Sequence, residues 1–116
     1  MISRKHRFHG YGSLRFVYRN GSTVRGPLFA IKTMPNTKRT SYRLAVVVSR
    51  KVSKSAVSRN RIRRRLYETV RSLESSIVSP HDIVITVFHE TLLDAPSKEL
   101  TSQVRKQLRA AGVLKT

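Results

Sequence analysis

The sequence predicts an α+β protein in which helices cover a small β-sheet, in the order α-β-β-β-α-β-α. Three observations predict this class. Short apolar runs rich in β-branched residues, bounded by glycine, proline and asparagine, are typical of strands. Other segments carry apolar residues at helical spacing. The chain has 116 residues, 39% of them apolar, which is enough for one core and too few for two. We therefore expect a single two-layer domain over residues 1–116.

The first helix is predicted over residues 13–20. Its apolar residues recur at i, i+3 and i+4, which is typical of one face of a helix. Ser13 is suited to the N-cap because its hydroxyl can accept a hydrogen bond from a free backbone N–H. Gly21 follows the helix and is predicted to end it in the left-handed conformation.

Three strands are then predicted, at residues 22–26, 27–34 and 42–50. In the second strand Phe29 and Ile31 share one face, and Leu28, Ala30 and Lys32 share the other. The third strand reads YRLAVVVSR and is nearly all apolar in its middle. Such a composition favours a central strand that is covered on at least one face.

The second half of the chain alternates helix and strand. A helix over about 55–76 begins at either Ser55 or Ser58, and Pro80 lies beyond its end. An apolar strand is predicted over 82–88. The last helix is predicted to run from about Ser97 to Ala111 and to end at Gly112.

Positive charge dominates the sequence. Lysine and arginine total 24 against 6 aspartate and glutamate, the net charge is +18, and no acidic residue precedes Glu68. A compact chain with this excess repels itself, which predicts a polyanionic partner, most commonly nucleic acid. An anionic membrane surface is the alternative, but no amphipathic helix has a broad Trp, Phe or Leu face. No apolar run approaches the ~20 residues that a membrane span requires.

The helix over 55–76 concentrates arginine. Ile62, Leu66, Val70 and Leu73 fall within about 80° of one another on a helical wheel, so a narrow apolar stripe can pack on the sheet. Much of the remaining circumference is arginine. A guanidinium binds phosphate bidentately and stacks on bases, which indicates nucleic-acid binding. The predicted binding residues are Arg50, Lys51, Lys54, Arg59, Asn60, Arg61, Arg63, Arg64 and Arg65.

The composition also limits the chemistry of the polypeptide. It has no cysteine, its four histidines lack metal-ligand spacing, and no Ser–His–Asp pattern or glycine-rich phosphate loop occurs. We therefore expect neither catalytic residues nor a metal site in the protein. The basic start is not followed by an apolar h-region, so no signal peptide and a cytoplasmic location are expected.

The stretch AVSRNRIRRRLYE at 56–68 resembles the RNR signature of the bacterial ribonuclease P protein component, which is close to A-V-x-R-N-x-x-K/R-R-x-x-R-E. Other segments resemble the same family in the same order: RFVYRNG at 15–21, LAVVVSRKVSK at 44–54 and HDIVITV at 81–87. Two departures stand out. Tyr67 replaces an arginine of the signature. FHE at 88–90 stands where basic residues are common, which predicts a weaker basic surface there.

The resemblance implies a ribosomal protein S5 domain 2-like fold with a left-handed crossover through the arginine-rich helix, contrary to the general right-handed rule. It also implies two partners, the ribonuclease P catalytic RNA and precursor tRNA. The RNA would hold magnesium and hydrolyse the precursor at its 5′ end. The protein would then be a subunit of a ribonucleoprotein endoribonuclease.

The resemblance further implies a cleft for the single-stranded 5′ leader between the first helix and the sheet, at Leu14, Tyr18, Ala30 and Lys32. Leu14 and Tyr18 stand four residues apart and share a helix face. An exposed aromatic at Tyr18 could stack a leader base, whereas Leu14 fits core packing equally well. Lys32 stands where the family often has an aromatic residue, which suggests more attraction for phosphate and less stacking.

Two other functions are compatible with the composition. The chain could be a ribosomal or RNA-chaperone protein that only binds structural RNA. It could also bind DNA, although the basic helix offers little besides Asn60 to read base edges. The RNR pattern within its α-β-β-β-α-β-α order favours the ribonuclease P subunit over both.

Overall fold

The computed structural model of the chain describes residues 6–8 and 11–115. Its helices and strands follow the predicted order and confirm the α+β class. They are α1 (Tyr11–Asn20), β1 (Ser22–Arg25), β2 (Phe29–Pro35), β3 (Arg43–Val47), α2 (Ala56–Ser72), β4 (His81–Val87) and α3 (Ser97–Ala110). Two short 3₁₀ helices, Glu74–Ser76 and Glu90–Leu93, follow α2 and β4. The second lies in a segment for which the sequence predicts no regular structure.

The four strands form one sheet in the order β1-β2-β4-β3. β2 pairs antiparallel with β1 and β4, whereas β3 pairs parallel with β4, and α2 makes the crossover between the parallel strands. The prediction that β3 is central is wrong, because β3 lies at an edge of the sheet and β4 is inside it. An apolar composition indicates that the two faces of a strand are covered. It does not indicate that the strand has a neighbouring strand on both sides. Arg7 forms an isolated bridge with Leu44 beside this edge.

One face of the sheet carries the main hydrophobic core. Alternate strand residues point to this face, where α2 and α3 pack: Phe29, Ile31, Leu44, Val46, Ile83, Ile85 and Val87. The predicted stripe of α2 is confirmed, since Ile62, Leu66 and Val70 are fully buried and Leu73 is 5% exposed. Burying one such side chain contributes about 1.5–3 kcal/mol, so this stripe fixes the orientation of α2 about its axis.

α1 lies on the opposite face of the sheet, against β2 and β4. Its Val17 is fully buried, as is Val84 of β4, and neither belongs to the main core cluster. The helix begins at Tyr11, two residues before the predicted start, so Ser13 is inside the helix rather than at its N-cap.

Gly21 serves a different purpose from the predicted one. Among the described residues only Gly112, which ends α3 as predicted, has a positive φ, at 79°. A Cβ at Gly21 would lie 2.7 Å from the carbonyl oxygen of Val17 and 3.0 Å from that of Thr33. Glycine is therefore needed here because carbonyl oxygens of the last turn of α1 and of β2 leave no room for a Cβ, not because the backbone is left-handed.

A buried ion pair joins β3 to β4. Arg43 donates from Nε to Asp82 Oδ1 at 2.8 Å and from Nη2 to Oδ2 at 2.7 Å, and Asn36 Nδ2 donates to Oδ2 at 3.0 Å. The Arg43 guanidinium also lies 4.6 Å from the centre of the Phe8 ring. These hydrogen bonds, which Arg43 donates to the Asp82 carboxylate, raise the pKa of Arg43 further above its usual range. The charge of Asp82 is thereby compensated even though the residue is buried.

The segment before α1 is held to β3 by stacking. The rings of His6 and Tyr42 lie parallel with centres 4.0 Å apart, and His6 Nδ1 is 2.9 Å from the Tyr42 carbonyl oxygen. The Tyr42 hydroxyl donates to Glu74 Oε2 at 2.9 Å. Burial and this hydrogen bond to a carboxylate raise the pKa of Tyr42 above its usual range.

Candidate nucleic-acid interface

The outer face of α2 presents a row of guanidinium groups. Ser55 caps the helix by accepting a hydrogen bond from Ser58 N at 3.2 Å, which decides between the two predicted caps. Arg61 and Arg64 are exposed, and Arg63 is partly exposed. In the described part of the chain, Arg43 forms an ion pair with Asp82, whereas none of these three arginines forms an ion pair. Their positive charge is therefore available to an external anion.

Asn60 supports this row. Its Oδ1 accepts a hydrogen bond from Arg63 Nη1 at 2.6 Å, and Asn60 itself is exposed. The bond orients the Arg63 guanidinium while leaving most of its donors available. A fixed guanidinium loses less side-chain entropy when it binds phosphate than a mobile one does.

Arg65 and Arg59 are placed differently from the others. Arg65 turns inward and donates to the carbonyl oxygens of Leu92 at 2.6 Å, Leu93 at 3.1 Å and Ala95. Arg59 Nη1 donates to the Ser53 carbonyl oxygen at 2.9 Å and so fixes the loop between β3 and α2. Arg65 holds α2 against the segment after β4, and its proposed contact with nucleic acid stays a prediction.

Replacing Arg65 with glutamine is expected to lower the free energy of unfolding by about 2 kcal/mol, because a charged donor that satisfies several carbonyl groups is lost. The neighbouring exposed substitution Arg64→Gln is expected to change it by less than about 0.5 kcal/mol. Urea unfolding of the two variants measures the difference. Equal stability of the two variants would contradict the structural role of Arg65.

The loop between β3 and α2 extends the basic surface around the sheet. Arg50, Lys51 and Lys54 are all exposed in it, whereas Ser53 is buried and its hydroxyl donates to Glu90 Oε1 at 3.3 Å. Because β3 and β4 are parallel, their C-terminal ends lie at the same end of the sheet, where this loop begins. The predicted loop residues therefore lie in the chain between Val47, at the end of β3, and the arginines of α2.

α1 leaves part of the sheet face on which it lies uncovered, and the predicted cleft falls there. The strand register aligns Ala30, Thr86 and Val47 in one row across β2, β4 and β3, with side chains on the face opposite to the core. All three are small or medium-sized and partly exposed. We call this row the cleft floor. It is flat because no large side chain rises from it.

Of the predicted cleft residues, Ala30 is part of the floor and Lys32 lies next to it on β2. Lys32 is two residues from Ala30 on the same face, and its Nζ donates to the carbonyl oxygen of Tyr18. The same ammonium nitrogen lies 5.7 Å from the centre of the Tyr18 ring, and Tyr18 is 38% exposed. Leu14, one turn before Tyr18, is partly buried. The structure thus brings Tyr18, Ala30 and Lys32 together.

Sequence reasoning missed the part of the floor that comes from β3 and β4. Thr86 and Val47 lie in segments that are predicted correctly as strands, but only the register places them beside Ala30. Alternation along each strand could have assigned their face; it could not have shown that β4 lies between β2 and β3. Tyr67, the departure from the RNR signature, packs partly buried against the core.

The described residues do not fit a magnesium site. Among residues 6–8 and 11–115 no group of three His, Cys, Asp or Glu side chains is placed to hold a metal ion. Asp82, the buried carboxylate, is already compensated by Arg43 and Asn36. Within the same residues no helix is both long and apolar enough to cross a membrane.

The sequence profile of the Ribonuclease P family matches residues 2–112. The chain belongs to the ribonuclease P protein family. It is 35% identical to the ribonuclease P protein component of Chloroflexus aurantiacus over 97% of this chain and 82% of the relative. It is 34% identical to the corresponding Pseudanabaena protein over 98% of this chain and 97% of the relative.

The fold agrees with a solved structure of the family. A Staphylococcus aureus RNase P protein mutant with defective mRNA degradation activity superposes with a TM-score of 0.82 at 25% identity. The match covers 94% of this chain and 90% of that protein. A connection of opposite hand would not superpose in this way, so the α2 crossover has the same hand as in that ribonuclease P protein.

Proposed function

We propose that this chain is the protein subunit of a cytoplasmic ribonuclease P. It binds the catalytic RNA through α2 and the loop before it, and it binds the 5′ leader of precursor tRNA at the cleft floor. The observation that carries this proposal is the place of the exposed basic loop between the two surfaces. Arg50 and Lys51 follow β3, whose last residue is Val47 of the floor, and they precede α2 in the chain. One RNA assembly can therefore contact both.

In this proposal the protein contributes binding and orientation. The guanidinium groups of α2 neutralise phosphates of the folded RNA and release its counterions. The flat floor and the Tyr18 ring accept an extended single strand, with Lys32 beside it for a phosphate. Magnesium ions held by the RNA would supply the hydrolytic chemistry of leader removal. Fixing the leader beside the catalytic RNA lowers the entropic cost of placing the scissile bond.

Reconstitution tests the proposal. The chain is mixed with a ribonuclease P RNA and precursor tRNA at low magnesium concentration, and release of the 5′ leader is followed. We expect the chain to stimulate release well above the RNA alone. RNA binding without stimulation would favour the alternative of a ribosomal or RNA-chaperone protein. The RNA alone at high magnesium controls for the integrity of the ribozyme.

The substitution Lys32→Ala is expected to weaken binding of leader-bearing precursor about tenfold, through loss of one charged contact, and to leave mature tRNA binding unchanged. Fluorescence anisotropy on the reconstituted enzyme measures both affinities. Lys98→Ala on the exposed start of α3 removes the same charge away from the floor and is the matched control. Equal weakening for precursor and mature tRNA would exclude a leader contact of Lys32.

A further inference from the structure

The corner of the cleft floor farthest from β3 carries an arginine stacked on a phenylalanine. Arg25 is the last residue of β1, and Phe88 follows the last residue of β4. The guanidinium carbon of Arg25 lies 4.7 Å from the centre of the Phe88 ring, a stacked cation–π geometry. The residues are far apart in sequence, so only the sheet brings them together.

Both side chains lie on the face of the cleft floor. Arg25 pairs with Ala30 across β1 and β2, and Ala30 pairs with Thr86, so Arg25 extends the row of the floor by one strand. Phe88 N donates to the carbonyl oxygen of Leu28 at 2.8 Å, which continues the β4 pairing by one residue. Val87 points into the core, so by alternation Phe88 points to the opposite face.

The Arg25 guanidinium, held by the Phe88 ring, is suited to bind an anion or to stack on a base. Arg25 is exposed, and its side chain makes no hydrogen bond or ion pair with the described residues, so its guanidinium donors are available. Phe88 is half-buried and holds the guanidinium plane in place. A fixed guanidinium can present one face to a stacked base and its edge to phosphate. It also supplies the cation that the segment 88–90 lacks in sequence.

We infer that Arg25 and Phe88 form a subsite for one nucleotide of the single-stranded 5′ leader, distal to the cleavage site. This inference rests on the proposed function. The catalytic RNA is proposed to bind at α2, next to the β3 edge, so a leader that crosses the floor passes Val47, Thr86 and Ala30 before it reaches Arg25. The distance from β3 to β1 is about 14 Å, three strand spacings. Only leaders long enough to cross it reach the subsite.

The test uses the reconstituted holoenzyme and precursor tRNAs whose leaders lengthen by one nucleotide at a time. With the natural chain, affinity is expected to rise with leader length and then level off. Arg25→Gln is expected to remove the final increment, about tenfold for loss of one charged contact, and to leave short leaders and mature tRNA unaffected. Phe88→Leu keeps apolar bulk and is expected to give part of the same loss, because the guanidinium is no longer held.

Arg105→Gln, an exposed arginine on α3, is the control for the change in net charge. Thermal unfolding of each variant shows whether the fold is retained. A loss for Arg25→Gln that is the same at every leader length, or no loss at all, would overturn the subsite. A natural chain whose affinity does not depend on the leader would instead contradict the proposed function.

Discussion

Replacing Arg61, Arg63 and Arg64 together with glutamine is expected to lower the affinity for ribonuclease P RNA by about 100-fold at physiological salt. All three present guanidinium groups on the outer face of α2 and form no ion pairs with the described part of the chain. Each phosphate contact contributes about 0.9 to the slope of log affinity against log salt, so the slope should fall by two to three units. Filter binding over a range of salt concentrations measures both quantities.

The matched control removes the same charge from another helix. Arg105, Lys106 and Arg109 are exposed on α3, and their joint replacement with glutamine changes net charge equally. We expect that variant to lose much less affinity and to keep most of the salt slope. If the two triple variants behaved alike, binding would depend on net charge rather than on the arginine face of α2.

The second large effect concerns stability. Arg43→Met is expected to lower the free energy of unfolding by about 3–5 kcal/mol, because Asp82 would be left buried without its ion-pair partner. Asp82 is 4% exposed, and of the residues that the structure describes only Asn36 would still donate to its carboxylate. Urea unfolding followed by circular dichroism measures the change. The loss should be similar at low and high salt, since a buried pair is little screened.

The double variant Arg43→Met, Asp82→Leu distinguishes the loss of the ion pair from the cost of leaving the Asp82 charge buried without a partner. It removes both charges, and we expect it to be more stable than Arg43→Met alone, because apolar replacement of a buried ion pair is often close to neutral. A double variant as unstable as the single one would show that Arg43 stabilises the fold through other contacts, such as that with the Phe8 ring, rather than through its ion pair with Asp82.

Much of the fold follows from local patterns. The stripe of Ile62, Leu66 and Val70 is a helical period of 3.6, and the alternation of Phe29, Ala30 and Ile31 is the strand period of two. Each pattern depends only on neighbours in sequence, which is why the burial of these residues is predicted correctly. The same is true of Gly112, whose positive φ ends α3.

Other predictions needed contacts between distant residues. The sequence predicts a left-handed conformation for Gly21, but a Cβ there is excluded by carbonyl oxygens, that of Val17 and that of Thr33 on β2. Arg65 looks on a helical wheel like its neighbours, but its acceptors lie near residues 92–95. A helical wheel shows the direction in which each side chain leaves the helix axis. It does not show which other residues lie in that direction.

The sequence by itself determined the charge of this protein, the arginine-rich face of α2 and the two faces of each strand, because charge adds over the chain and periodicity is local. The tertiary structure alone decided that β4 lies between β2 and β3. With that order it also decided that Ala30, Thr86 and Val47 form one floor and that Arg25 meets Phe88. The physical reason is that strand pairing joins residues across long sequence separations. Which strands pair depends on how the whole core packs.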